Sequence, residues 1–192
     1  MIGKLFLVVG PSGVGKGTLV RALRERHPEF FFPSSATTRA IRTNEEEGRQ
    51  YHFLSDDQFE KLKQDGEFLE TAVVHGTEKY GILKKPILEA IADGKVVIRE
   101  VDIQGLQSIH QNLGKELFES IFIVQPDFAI LKKRIHKRQP NISEAELDRR
   151  LKSAEDEMSQ KSLADFEVVS GEDEIPKMVA EVESFISRET DV

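Results

Sequence analysis

Lys4-Leu-Phe-Leu-Val-Val-Gly-Pro-Ser-Gly-Val-Gly-Lys-Gly-Thr18 stands near the start of the chain and decides how the rest is read. After its lysine, Lys4 to Val9 is a continuous apolar run bounded by glycines, the pattern of a strand buried on both faces in a parallel sheet. Gly10 to Gly15 is a glycine-rich turn. Lys16 to Arg26 then carries Leu19, Ala22 and Leu23 at helical spacing, with Pro28 just beyond its end. Strand, loop and helix form the context in which G-x-x-x-x-G-K binds phosphate. The glycines let backbone N–H groups turn inward, the helix adds the positive end of its dipole, and Lys16 brings a mobile charge to the β- and γ-phosphates. A glycine-rich turn that binds nothing is the competing reading, and the flanking elements argue against it. Gly10, Pro11, Ser12, Gly13, Val14, Gly15, Lys16, Gly17 and Thr18 are therefore the expected ATP-binding segment. One position departs from the pattern, which asks for Ser or Thr after the lysine to hold Mg²⁺. Gly17 has no side chain to offer, so the expected Mg²⁺ shell is mainly phosphate oxygens and water, with Thr18 or Glu100 as the protein candidates.

The whole chain sets the bounds. Its 192 residues suit one domain, and 39% hydrophobic with 32% charged residues is ordinary for a globular protein. A formal net charge of −7 argues against nucleic acid as a partner while leaving room for a local basic cleft. The absence of cysteine removes disulfides, thiolate zinc sites and a thiol nucleophile. The apolar run before Gly10 is too short for a signal peptide, and no stretch approaches the roughly 20 apolar residues that span a bilayer. The expectation is a cytoplasmic protein with no membrane partner. The five histidines are scattered without metal spacing and receive no role.

Beyond the first helix the pattern changes. Ser34 to Gln50 is polar and aperiodic, and Tyr51 to Leu54 reads as a short strand. Ser55 with Gln58 makes a capping box for a helix ending near Gln64. Phe68 to Val74 reads as a strand and Gly76 to Gly81 as a turn. Regular alternation then resumes: helix Pro86–Asp93, strand Val96–Val101, helix Gln107–Leu113 and strand Ser120–Val124. Asp127 caps a basic helix to about Arg138, and Ser143 with Glu146 opens a long charged helix to about Gln160. Strand Phe166–Val169 and helix Ile175–Ile186 close the series. Strands alternating with helices imply an α/β fold of three layers with a central parallel sheet covered on both faces. The expected core is 1–33, 83–125 and 161–192, with a mixed α/β insertion at 34–82 and a helical lid at 126–160.

The insertion holds Ser35, Arg39, Arg42 and Tyr51, a set able to close around one anion; arginine grips phosphate with a planar fork that lysine lacks. At this point the chain resembles the guanylate kinases. Gly10 to Thr18, Thr37-Thr38-Arg39-x-x-Arg42, Tyr51-x-Phe53, Phe68-Leu-Glu70, Tyr80-Gly81 and Asp102-x-Gln104-Gly105 follow that family's order and approximate spacing from about Leu5 to Ile186. The resemblance implies ATP and GMP as substrates, and Ser35, Arg39, Arg42, Tyr51 and Tyr80 around GMP, the arginines and tyrosines chiefly at its phosphate. It puts Glu70 on the guanine edge, with Asp102 nearby. A carboxylate suits guanine, whose N1–H and N2–H₂ donors lie side by side, and leaves unmatched polar groups with adenine. Several positions depart from the family: Ile82 stands where Ser or Thr is usual, Ile41 replaces a proline, and the turn before Tyr80 is one residue longer. Gln139-Pro140-Asn141 replaces the usual lid sequence, and Ser170 an asparagine.

Lys132, Lys133, Arg134, Lys137 and Arg138 cluster on one predicted helix, and Arg149 and Arg150 lie on the next. Such a run is ordinarily a solvated face; beside a phosphate loop it reads as a lid. The resemblance selects Arg134 for ATP, and Arg138 and Arg150, with Lys16 and Arg39, for catalysis. Phosphoryl transfer needs positioning and positive charge more than covalent help, so no protein nucleophile is expected. Two other readings stand beside it: a non-catalytic binding module of the same fold, and a kinase for another small phosphorylated acceptor.

Overall fold

The computed structural model describes residues 3–190 except 44, 49–50, 75–76 and 172–173. Four strands form one all-parallel sheet in the order β6-β1-β7-β8: β1 (Lys4–Val9), β6 (Val96–Glu100), β7 (Phe118–Val124) and β8 (Phe166–Val169). β1 lies second in this sheet, and Leu5, Phe6, Leu7, Val8 and Val9 are all fully buried. Its apolar run is continuous because both its faces are covered. On one face Leu5, Leu7 and Val9 pack with Ile87 and Ile91 of helix α3 (Lys84–Ala92) and Leu106 and Ile109 of α4 (Ile103–Asn112). On the other, Phe6 and Val8 pack with Leu19 and Leu23 of α1 (Lys16–Arg26) and Val182 and Phe185 of α7 (Ile175–Thr190). The three-layer α/β expectation is thus met.

Between α1 and α3 the chain builds a second sheet, β3-β2-β5-β4, from β2 (Ser35–Thr37), β3 (Tyr51–Phe53), β4 (Phe68–Val74) and β5 (Glu78–Leu83). The sheet is mixed: β2 and β3 are parallel, whereas β5 runs antiparallel to β2 and β4. Helix α2 (Asp56–Gln64) covers it through Phe59, which stacks on Phe68 at 4.6 Å. The capping box read at Ser55 and Gln58 is present in both directions. Lys79 Nζ ties β5 to α2 through Asp56 and Glu60, both at 2.8 Å.

Helices α5 (Phe128–Arg138) and α6 (Glu144–Met158) pack on each other through Leu131, Ile135, Leu147 and Ala154. Asp127 caps α5 by accepting from the Ala129 N–H, and Ser143 caps α6 by accepting from the Glu146 N–H.

Some local expectations are corrected. The turn expected over Gly76–Gly81 begins outside the described residues, and Glu78 to Gly81 belong to strand β5, held by pairing to β4 and β2. Ser35–Thr37, expected to be irregular, is a strand because it pairs with β3 and β5. α4 starts at Ile103 rather than Gln107, because Asp102 caps it by accepting from the Gly105 N–H at 2.7 Å. α3 starts at Lys84 and admits Pro86 in its first turn, where no intrahelical N–H is needed. Among the described residues no helix is long and apolar enough to cross a membrane.

Candidate active site

The phosphate loop leaves the carboxyl end of β1, where ligands of open parallel sheets bind. Gly10, Gly13 and Gly15 have φ of 140°, 85° and 120°, values that let successive backbone groups turn inward and that a side chain would strain. A Cβ on Gly10 would in addition come 2.8 Å from the Ile123 carbonyl oxygen. Lys16 folds its ammonium back onto the loop, donating to the Gly10 and Pro11 carbonyls. Burial lowers its pKa, while Glu100, Glu157 and Asp102 oppose that shift.

Two cavities meet at this lysine. The first, about 670 Å³, is lined by the loop from Pro11 to Thr18, by Arg134 and Arg138 of α5, and by Glu157 of α6. The second, about 280 Å³, is lined by Glu70, Thr71 and Ala72 of β4 and by Gln104, Gly105 and Ser108 of α4. Lys16, Glu100 and Asp102 line both. Glu100 and Asp102 reach this junction because β6 ends here and α4 begins at once.

Arg134 is held in place by donating to the Val14 carbonyl at 3.0 Å, the Ser170 hydroxyl at 2.8 Å and the Gly171 carbonyl at 2.9 Å. Ser170 thus orients a cavity arginine. Arg138 is exposed at the cavity rim, and its charge also depresses the Lys16 pKa. Arg150 is half-buried on α6 and donates from Nε to Glu146 at 3.0 Å; it does not line either cavity.

In the second sheet Arg39 is buried beneath Tyr51 and Phe53, with its Cζ 5.3 and 5.6 Å from their ring centres. Tyr51 meets Tyr80 edge-on at 5.8 Å, so these three expected residues converge. The guanidinium fork is filled by Glu45, at 3.0 Å from NH1 and 2.7 Å from NH2. This pairing raises the Arg39 pKa and lowers that of Glu45. Glu45 also accepts from the Arg42 backbone N–H at 2.9 Å, whereas the Arg42 side chain is exposed. The structure therefore brings Arg39, Tyr51 and Tyr80 together and leaves Arg42 at the edge. Sequence reading missed Glu45. Nothing in the sequence singles it out from Glu46 and Glu47 beside it.

Glu70 lies over Gly105, where a Cβ would sit 1.9 Å from its Oε2. Burial raises its pKa to about 7, the Asp102 carboxylate adds to the rise, and Arg99 opposes it. Ile82, directly opposite Glu70, is buried in the core. Arg99 was also missed, although a charged residue inside the apolar strand Val96–Val101 was the available signal. It donates to the Ser35 hydroxyl and to the Pro33 carbonyl, and its Nε–H is buried without a partner.

A cavity lined by the glycine-rich loop, Lys16 and two arginines of α5 thus meets a carboxylate-lined cavity at Lys16, Glu100 and Asp102. Comparison with known proteins identifies the family. The guanylate kinase family model matches residues 2–189. This chain belongs to the guanylate kinase family. It is 42% identical over 183 residues to the guanylate kinase of Trichormus variabilis, covering 95% of this chain and 90% of that one. With the guanylate kinase of Bifidobacterium longum the identity is 39% over 189 residues, covering 97% and 95%. The crystal structure of guanylate kinase from Anaplasma phagocytophilum superposes with a TM-score of 0.70 at 25% identity, covering 98% of this chain and 87% of that one. A gluconokinase from Sinorhizobium meliloti shares the fold at a TM-score of 0.51 and 15% identity.

Proposed function

We propose that this protein transfers the γ-phosphoryl group of ATP directly to the phosphate of GMP, giving ADP and GDP, and that dGMP also serves. The observation that carries the reading is the junction of the two cavities at Lys16, Glu100 and Asp102. ATP lies in the larger cavity with its phosphates on the loop from Gly10 to Thr18 and on Arg134. GMP lies against the second sheet, residues 34–82 forming its binding insertion. Its base meets Glu70, with Asp102 and Ser35 nearby, and its phosphate meets Arg39, Arg42, Tyr51 and Tyr80. Residues 126–160 form the lid, which brings Arg138 and Arg150 toward the transferred group on closing and excludes water.

The chemistry follows from this placement. The GMP phosphate is already an oxyanion, so its attack needs no strong base. Lys16 leaves the Gly10 and Pro11 carbonyls for the phosphates. With Arg39 and the lid arginines it offsets charge developing on the transferred group. Among the described residues no group of three or more His, Cys, Asp or Glu is placed to hold a metal ion. The oxygens of Thr18 and Glu100 at the larger cavity instead fit a Mg²⁺ held largely by nucleotide phosphates and water. When bound, that ion would offset negative charge on the nucleotide phosphates. The setting is purine nucleotide metabolism in the cytoplasm.

A coupled ADP-release assay with ATP and Mg²⁺ tests the reading across GMP, AMP, CMP and UMP. GMP is expected to be the preferred acceptor; equal rates with all four would refute the assignment. Lys16→Ala is expected to abolish turnover with an unchanged thermal transition, and retained turnover would remove Lys16 from the mechanism.

A further inference from the structure

Glu70, on the wall of the smaller cavity, is paired across the second sheet with Ile82, which carries no hydroxyl. The register that pairs Ala36 with Gly81, carried one residue on, sets Ser35 beside Ile82, and Ile82 pairs with Glu70. Directly opposed residues of an antiparallel pair share a face. Ser35, Ile82 and Glu70 thus form one row, with an apolar residue between two polar ones. Ser35 is buried, and its one side-chain hydrogen bond among the described residues is the one it accepts from Arg99.

A serine hydroxyl has one proton and two lone pairs. Arg99 is a permanent donor, so a lone pair of Ser35 is committed to it and the hydroxyl proton must turn elsewhere. The arginine is itself fixed, since its other terminal nitrogen donates to the Pro33 carbonyl at 3.1 Å. Resting on the guanylate reading above, the geometry points to Arg99 as a positioning residue: it holds the Ser35 hydroxyl as a donor toward the O6 acceptor of bound guanine. Adenine offers an amino donor at that position, and two donors face to face reject each other. Arg99 also presents its charge to Glu70. The two ends of the row are thereby polarised in opposite senses, a donor at Ser35 and an acceptor at Glu70, matching the donors and acceptor of guanine along one edge.

The test compares GMP with 6-thio-GMP, which keeps the N1–H and N2–H₂ donors and replaces only O6 by the weaker acceptor sulfur. Arg99→Leu is expected to raise KM for GMP about tenfold, the worth of one hydrogen bond, with kcat and KM for ATP near wild type. It should also narrow the GMP to 6-thio-GMP ratio of kcat/KM. Arg99→Lys, which still donates, should restore the ratio. Ser35→Ala should narrow the ratio by itself, and adding Arg99→Leu to Ser35→Ala should narrow it no further. Equal loss for both nucleotides in Arg99→Leu would mean that Arg99 merely holds the Pro33 segment and would overturn the inference. If Arg99→Leu does not fold, an unchanged ratio in Ser35→Ala overturns it equally. The wild-type protein measured against AMP, CMP and UMP separates this outcome from a failure of the guanylate reading itself.

Discussion

Replacing Glu70 by glutamine should make the protein more stable and a worse enzyme at once. The carboxylate is largely buried beside Asp102, and its pKa rises from 4.5 to about 7. Because the folded state holds the Glu70 proton more tightly than the unfolded state, the group favours folding most below pH 4.5. That contribution is lost as pH rises toward 7. Keeping the side chain ionised above that point costs the fold about 3 kcal/mol, at roughly 1.4 kcal/mol per pH unit. Glutamine has nearly the same shape and no charge to desolvate. In a domain of this size the relief corresponds to a Tm higher by about 5–10 °C. On the proposed placement of guanine, the same change would turn an N–H₂ toward the base's donors and remove two charge-assisted hydrogen bonds of about 1.5–3 kcal/mol each, so kcat/KM for GMP should fall about 100-fold or more. The assay is thermal unfolding of both proteins from pH 4 to pH 8, with GMP kinetics at pH 8. The Tm gap should be near zero at the acid end and grow through pH 7. A gap independent of pH, or Glu70→Gln melting below wild type at pH 8, would refute the reasoning. So would unimpaired GMP kinetics.

Gly105→Ala adds a Cβ 1.9 Å from Glu70 Oε2 and 3.1 Å from Val101 Cβ, so the Glu70 carboxylate, the end of a flexible side chain, must move away and Val101 must give by a few tenths of an ångström. Alanine favours a helix by up to about 1 kcal/mol over glycine, so an unchanged or raised Tm with at least a tenfold higher KM for GMP and an unaltered KM for ATP is expected; a wild-type KM for GMP would contradict the placement of Glu70. Gly17→Ser should fold normally, because the nearest atom to a Cβ there is Glu100 Oε2 at 3.8 Å. Its hydroxyl should lower the Mg²⁺ concentration needed for half-maximal activity. An unchanged requirement would show that the metal is not approached from residue 17.

The features legible in the sequence are those whose causes are local. The loop from Gly10 to Lys16 announces itself through glycines and a flanking apolar strand. The Ser55–Gln58 box and the Asp127 and Ser143 caps follow from residues three or fewer positions away. Ser35–Thr37 and Glu78–Gly81 were illegible for the opposite reason. Ala36 and Thr37 pair with Gly81 and Tyr80 across more than 40 positions of sequence, Glu78 and Lys79 pair back onto β4, and neither stretch carries enough alternation to show it. Among the site residues, Arg39, Tyr51 and Tyr80 were legible as a group through the family's motifs, and the structure does bring them together. Their electrostatic partners were not. Glu45 looked like one of three consecutive acids in a polar loop, and only the fold shows it inside the Arg39 fork. Arg99 breaks the apolar run of β6 one residue before its end at Glu100, and its meaning depends on Ser35, 64 positions away.

In this structure the Arg39 fork holds Glu45, and on the function proposed above this bears on which anions the acceptor site admits. Glu45 is tethered six residues from the arginine it neutralises, so it competes with every incoming anion at an effective concentration in the millimolar range or above. Free phosphate, or any small oxyanion of the medium, can offer the guanidinium little that Glu45 does not already provide. A nucleotide brings a second attachment through its base and so can displace the tethered rival where a lone anion cannot. On that reading the internal carboxylate makes occupancy of the phosphate position conditional on recognition of the base, and it raises the threshold for wasteful occupation without adding any contact to the ligand.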